Sequence, residues 1–306
     1  MDLDALLQSH GEEAPSGDDL EYDPAFTELE IAAQPGEERQ VGNEIRAAED
    51  PDYKEVAEKA LDIMQRSHDL RAAVFMAEAQ LRLKGITGFA DSTTYIRRCL
   101  EEYWDSCHPQ LDADDDNDPT MRVNAVLSLS DANRILRGLR KAPLTKSRMF
   151  GMIALRDMLV ADGEMTPTSD MDTIPDAASV AAAFQDTDPE ELKTIAEAAA
   201  RALSDIKAIS AKFDAETPGM GPDLDPVQKM LAQINKRLAN MLGEDAVAAE
   251  GDAGGEDAAD AEDDGGAPAA ARPAGGGGGG AINTPNDVRN AIDRIVAYYE
   301  RAEPSS

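Results

Sequence analysis

The sequence predicts an all-α protein, and three observations support this fold class. Alanine and leucine, both strong helix formers, supply most of the apolar residues, which make up 42% of the chain. Aromatic residues, which favour strands, amount to only 4%. Aspartate followed by proline, a typical N-cap and first helical residue, recurs ahead of apolar residues spaced three or four apart.

The first predicted unit is an N-terminal helical domain at residues 1–145, an ordinary domain size. A short helix begins at Asp23-Pro24, residues 34–49 are predicted to be a loop, and a second helix begins at Asp50-Pro51. The apolar face of the second helix consists of Val56, Ala60, Leu61 and Met64.

Three further helices complete this predicted domain. Asp69 caps a helix that Gly85 ends, and Gly88 is expected to lie in the connection that follows. The next helix stops before His108-Pro109, because the residue before a proline is disfavoured in the helical region. Pro119 opens the last of the three.

Residues 146–243 are predicted to form a middle region built on a helical hairpin. Two long helices begin at Asp188-Pro189 and Asp225-Pro226, and the prolines and glycines between them predict an antiparallel turn. The apolar spacing at the start of this region predicts another helix, through Met149, Met152, Ile153, Leu155 and Leu159.

The composition changes after this middle region. Residues 244–280 hold ten acidic residues and six consecutive glycines, so ordering them would cost entropy without burying apolar surface, and we expect a flexible linker. Residues 281–306 are predicted to begin with a helix that would be marginal alone and therefore packs on another copy or a partner. Its apolar stripe consists of Val288, Ile292, Ile295, Val296 and Tyr299.

The charge balance restricts the classes of partner. With 61 acidic and 29 basic residues the net charge is −32, which argues against binding nucleic acid or an anionic membrane. It favours a soluble protein whose copies repel one another through like charge, or an acidic docking surface for a basic partner. The chain has no signal-peptide pattern and no long apolar run, so we expect a cytoplasmic protein without membrane insertion.

The sequence contains no pattern typical of catalysis, cofactor binding or a metal site. His10, His68 and His108 lack metal-ligand spacing, and Cys99 and Cys107 are expected to be buried free thiols. The acidic run 112–118 lacks the glycine and glutamate of a calcium-binding loop, and the glycine run lacks the lysine of a phosphate loop. We therefore expect no enzyme activity, cofactor or metal.

Basic residues are densest between positions 134 and 148. Two interpretations stay open for them. They are either cations that favour the negative end of a helix dipole, or contacts for an acidic partner, including acidic parts of another copy. In the second interpretation, Arg137 and Arg140 are the candidate contact residues, beside the C-terminal apolar stripe.

Several short segments occur in one order between residues 15 and 145. They are 15–24 with Phe26, 52–53, 67–71, 81–88, 103–105, 108–112, 117–119, Arg122 and Asn124. Together these segments resemble the ImpA N-terminal domain of the TssA family of type VI secretion systems. The C-terminal residues 286–299 and 303–306 resemble the last domain of short-form TssA proteins.

This resemblance implies a non-enzymatic assembly component in the cytoplasm of a Gram-negative bacterium. The implied role is to coordinate baseplate and tube or sheath assembly, with baseplate, membrane-complex, tube and sheath proteins as partners. The tail resembles baseplate-type members. The family builds rings through its C-terminal region, so we expect residues 281–306 to be the start of a homo-oligomerisation region cut short at Ser306.

Two alternatives to this role remain open. The first is a generic acidic helical adaptor or chaperone unrelated to secretion. The second is a metal-dependent hydrolase, which would carry a bound divalent metal.

Overall fold

The computed structural model describes residues 1–36, 39–41, 44–46, 49–168, 171 and 173–243. Within these ranges the chain is almost entirely helical, which confirms the predicted fold class. The predicted linker at 244–280 and the C-terminal stripe lie outside the described residues.

The described ranges contain eleven α-helices. They are α1 (Leu3–Leu6), α2 (Pro24–Ala32), α3 (Tyr53–Met64), α4 (Leu70–Lys84), α5 (Ile86–Glu102), α6 (Thr120–Leu127), α7 (Arg137–Lys141), α8 (Leu155–Ala161), α9 (Ala177–Asp186), α10 (Pro189–Glu216) and α11 (Asp225–Leu242). Between α6 and α7 lie a 3-10 turn at Ser128–Ser130 and a π-helical turn at Ala132–Leu136.

Aspartate caps set the start of several helices, as the sequence predicts. The carboxylates of Asp23, Asp69 and Asp188 accept backbone N–H groups of the first helical turn at 2.8–2.9 Å. For α3 the prediction is wrong by two residues, because Asp52 is the cap and not Asp50. The Asp52 carboxylate accepts the N–H of Lys54 at 2.9 Å.

The loop predicted at residues 34–49 is wrong in part. Two short strands, β1 (Arg39–Val41) and β2 (Glu44–Arg46), pair antiparallel, with Val41 opposite Glu44. Gly42 and Asn43 stand between them in the sequence, and this residue pair is typical of a two-residue hairpin.

Two further predictions need correction. Gly88 lies inside α5 and not in a connection. A Cβ at this position would lie 2.6 Å from the carbonyl oxygen of Gln80. The glycine therefore allows α4 and α5 to approach closely. The helix predicted from Met149 begins only at Leu155, because the preceding residues form a loop.

Helix α5 is at the centre of the packing, with α4 on one side and α10 on another. Helices α10 and α11 are antiparallel, as predicted: Gln228 Nε2 donates to Ser210 Oγ at 3.0 Å, and Asn235 Nδ2 donates to the Ala199 carbonyl at 3.2 Å.

All described residues belong to one compact unit. Helices on both sides of residue 145 share one hydrophobic core, and the predicted division there stays a prediction.

Charged and aromatic contacts join α5 to α10. The buried carboxylate of Asp205 accepts hydrogen bonds from Thr94 Oγ1 at 2.6 Å and Arg97 Nε at 2.7 Å. The ring of Trp104, just after α5, meets the ring of Phe213 edge to face at 5.2 Å. Among the described helices, none is long and apolar enough to cross a bilayer.

Candidate protein-docking surface

Three of the segments that carry the family resemblance meet at one place in the fold. The N–H of His68 donates to the carbonyl of Ser16 at 2.8 Å, and the N–H of Leu70 donates to the carbonyl of His108 at 2.8 Å. The N–H of His108 in turn donates to the carbonyl of His68 at 2.9 Å. The segments at 15–24, 67–71 and 108–112 are therefore joined through their backbones.

Arg122 completes this meeting point from α6. Its side chain is fully buried and donates to the carbonyls of Trp104 at 2.6 Å, Cys107 at 2.7 Å and Pro109 at 3.0 Å. Its guanidinium also lies 4.9 Å from the centre of the Trp104 ring. Because these groups bind one another inside the fold, His68, His108 and Arg122 stabilise the structure.

The predicted candidates for chemistry are also used internally. His68 is buried between the rings of His10 at 4.9 Å and Tyr103 at 4.1 Å, and this burial lowers its pKa to about 4. Cys99 and Cys107 are buried free thiols, as predicted. The Cys99 thiol is the donor in its hydrogen bond with Cys107, and this bond together with burial raises the pKa of Cys99, which therefore stays protonated.

The acidic run at 112–118 caps a helix. The Asp118 carboxylate accepts the N–H of Thr120 at 2.7 Å, and the Asp112 carboxylate accepts the N–H of Asp114 at 3.0 Å. Bonds from Thr120 lower the pKa of Asp118. No cluster of three histidine, cysteine or acidic residues suited to a metal occurs in the ranges that the structure describes.

The loop at residues 146–152, between α7 and α8, is a distinct surface feature. Its two ends are closed by a backbone hydrogen bond from Leu144 N–H to the Ile153 carbonyl at 2.7 Å. The Ile153 N–H donates to the buried hydroxyl of Thr145 at 2.8 Å. The ends of the loop are thus fixed in a hairpin-like arrangement without regular strands.

The end of α9 holds the middle of this loop. Ser147 Oγ donates to the Asp186 carboxylate at 2.7 Å and accepts the N–H of Phe150 at 2.8 Å. The N–H of Lys146 donates to Thr187 Oγ1 at 3.1 Å. The hydrogen bond from Ser147 lowers the pKa of Asp186, so its carboxylate remains charged at neutral pH.

This fixed loop presents large apolar side chains to solvent. Met149 is 78% exposed, Phe150 is 45% exposed and Met152 is 67% exposed. The prediction of a helix here missed the loop, because the apolar spacing resembles a helical face. Gly151, with a φ of +82°, is the one local residue that signals a break.

A groove of about 1100 Å³ lies beside the loop. It is bounded by the end of α4, the start of α5, the start of α10 and the loop itself, with Leu83 and Met152 among its apolar lining residues. Lys84 and Arg148 also line it, and neither forms a salt bridge within the described residues. Lys146 pairs with Glu191 at 2.8 Å. The groove therefore combines apolar and cationic groups.

The predicted contact residues lie elsewhere. Arg137 is exposed and Arg140 is half-buried on α7, neither lines the groove, and neither forms a salt bridge within the described ranges. The C-terminal candidates Val288, Ile292, Ile295 and Tyr299 lie outside the described residues.

Comparisons with known proteins agree on one family. The family model described as ImpA, N-terminal, type VI secretion system, matches residues 7–131. The type VI secretion system component TssA1 of Pseudomonas aeruginosa is 38% identical over 308 residues, which span 100% of this chain and 88% of that protein.

A solved structure is similar in fold. It is the N-terminal domain, including the conserved ImpA_N region, of the TssA component of the type VI secretion system from Burkholderia cenocepacia. The match has a TM-score of 0.62 at 22% identity, and it covers 79% of this chain and 93% of that chain.

Proposed function

Because the chain belongs to the TssA family of type VI secretion system components, we propose that it is a non-enzymatic assembly protein that coordinates the baseplate with the tail tube and sheath. The observation that carries this proposal is the similarity to a TssA component along the entire chain. The exposed 146–152 loop on a tightly packed helical body supports an action through protein–protein contacts.

The proposed partners are baseplate, membrane-complex, tube and sheath proteins, together with other copies of the chain, in the cytoplasm. A baseplate role is proposed over a role at the distal sheath end, because residues 303–306 resemble the tail of baseplate-type members. The net charge of −32 supports partners that offer basic surfaces to this chain.

The experiment that tests this function is deletion of the gene in its own organism, with a fluorescent sheath protein as the reporter. We expect dynamic sheaths to disappear and to return when the full chain is supplied from a plasmid. Sheath assembly and secretion at wild-type levels in the deletion strain would overturn the proposal. Genomic neighbours without sheath or tube proteins would instead favour the adaptor or chaperone.

Self-association is proposed to depend on the C-terminal apolar stripe. Changing Val288, Ile292 and Ile295 to Asp should lower the oligomer mass measured by light scattering, because charged side chains cannot be buried in an apolar contact. Met121→Asp, on the exposed face of α6, is the matched control and should leave the mass unchanged. An unchanged mass in the triple variant would contradict the proposal.

A further inference from the structure

We propose that the 146–152 loop and the groove beside it bind an acidic segment with apolar side chains from a partner protein. The assignment of this partner to the secretion apparatus rests on the proposed function. The binding chemistry depends on the groove and its surroundings alone.

The loop is organised before any partner binds. Its ends are closed by the bonds of Leu144 and Thr145 to Ile153, and its middle is fixed by Ser147 on Asp186. A segment that is already ordered loses little conformational entropy on binding, so more of the contact energy appears as affinity. The buried polar groups under the loop therefore favour its use as a recognition element.

The side chains on the loop suit a protein partner. Methionine adapts its shape to irregular apolar surfaces, and phenylalanine buries a large area on contact. Three large apolar side chains within four residues form a concentrated exposed patch, unlike the scattered single apolar residues of an ordinary surface. Leu83, itself partly exposed, extends the apolar surface into the groove.

The charge of the groove determines the kind of segment that fits. Four cations line it, against the two carboxylates of Glu190 and Glu191, on a chain whose net charge is −32. Glu191 is already paired with Lys146. Acidic groups on a partner would meet Lys84 and Arg148 at this surface, whereas a basic segment would leave both cations opposed by like charge. The four lining cations are Arg82, Lys84, Lys146 and Arg148.

A second copy of this chain is the less favoured occupant. The self-association proposed above is assigned to the C-terminal apolar stripe, so the groove is proposed to serve another protein. The proposal therefore commits to a different protein, with an acidic and apolar binding segment.

The test uses the full chain in cells that produce the secretion apparatus. Phe150 is replaced by the photo-crosslinking residue p-benzoylphenylalanine, and Met121 on α6 is replaced likewise as a control of similar exposure. We expect capture from position 150 and not from position 121. The captured peptide, mapped by mass spectrometry, should carry net negative charge and apolar residues.

Charge-reversal variants test the cations. Lys84→Glu combined with Arg148→Glu should lower the crosslinking yield from position 150 by about tenfold. Lys207→Glu, an exposed site on α10 away from the groove, should leave the yield unchanged. Both variants must first retain a cooperative melting transition close to that of the parent chain, since Lys84, Arg148 and Lys207 are exposed.

Several outcomes would overturn the docking proposal: capture of another copy of the chain, capture of a basic segment, or capture no stronger than at position 121. The proposed function fails separately. If position 150 captures an acidic segment of a protein outside the apparatus while sheaths form normally in the deletion strain, docking stands and the assembly role falls. If sheaths disappear but position 150 captures nothing, the assembly role stands and the docking proposal falls.

Discussion

A guanidinium is seldom fully buried, yet Arg122 has no exposed surface and its described hydrogen-bond partners are all backbone carbonyls. It holds the segment between α5 and α6, where helical hydrogen bonds do not satisfy the carbonyls. The planar fork of donors allows one side chain to bind three acceptors at once. Arg122, one of the residues that carry the family resemblance, therefore stabilises the segment between α5 and α6.

Arg122→Lys should destabilise the fold by about 2–4 kcal/mol, because one ammonium cannot reach three carbonyls in the geometry of the fork. The measurement is the free energy of unfolding in urea. Arg137→Lys, at an exposed position, is the control and should change it by no more than about 0.5 kcal/mol. Equal values for the two variants would show that the carbonyls find other partners.

His68 makes the stability depend on pH. Its pKa of about 4 in the folded state lies below the ordinary 6.5, because burial, followed by the charge of His10, disfavours the protonated ring. The unfolded chain therefore binds more protons in the window between these values, and stability is lost as the pH falls through it. The expected loss between pH 7 and pH 5 is about 2 kcal/mol.

His68→Gln should remove this part of the pH dependence, whatever its effect on stability at neutral pH. The free energy of unfolding, measured in urea at pH 7 and pH 5, gives the slope for each protein. His10→Gln, at an exposed position, should keep most of the slope. A wild-type slope in His68→Gln would assign the effect to other groups.

Among the secondary-structure elements, α4 and α5 show how one residue sets a helix contact. A Cβ at Gly88 would lie 2.6 Å from the Gln80 carbonyl oxygen and 2.9 Å from the Lys84 Cβ. Both distances are shorter than van der Waals contact, and the first is to a backbone atom, which cannot move aside as a flexible side chain can. The close packing of these helices therefore depends on the missing side chain.

Gly88→Ala tests two opposing effects. Helix propensity alone favours alanine by about 1 kcal/mol, whereas overpacking against Gln80 costs about 1–3 kcal/mol. We expect the clash to prevail and the melting temperature to fall. Thr87→Ala, the neighbouring and partly exposed position, controls for the propensity gain. A higher melting temperature in Gly88→Ala would mean that α5 shifts without cost.

The elements that were predictable depend on local signals. Asp188-Pro189 marks the start of α10 through contacts within one turn, so the sequence alone is sufficient. The 146–152 loop depends on Asp186 and Thr187, which lie 39 and 41 residues from their partners in the loop. The spacing of apolar residues does not show which of them are buried when polar partners distant in sequence determine the path of the backbone. The sequence does locate two cations of the candidate surface, since Lys146 and Arg148 belong to the basic stretch at 134–148, but it does not reveal the exposed apolar loop beside them.

In the whole molecule, the core extends from Leu6 near the N-terminus to Leu238 in α11. Asp205 and Phe213 on α10 bind partners on or next to α5, so residues on both sides of position 145 support one another. Apolar burial of this kind couples the unfolding of its parts.

We expect limited proteolysis to cut first within residues 244–280, where Val247 is the one bulky apolar residue that the sequence offers to protect the backbone. The remaining N-terminal fragment should unfold in one cooperative transition in calorimetry, because of the shared core. Equally early cleavage within residues 55–140 would contradict this map. Two separate transitions would favour domains divided at residue 145.

The contacts between α5 and α10 also limit how relatives can exchange sequence during evolution. A crossover shortly after α6 would join an α5 from one parent to an α10 from another, and the hybrid would inherit Arg97 without the Asp205 selected alongside it. The same holds for Trp104 and Phe213. Crossovers after α11 keep every such pair together, so the helices from α1 to α11 should be inherited as one block, while the segments beyond them diverge or are replaced independently.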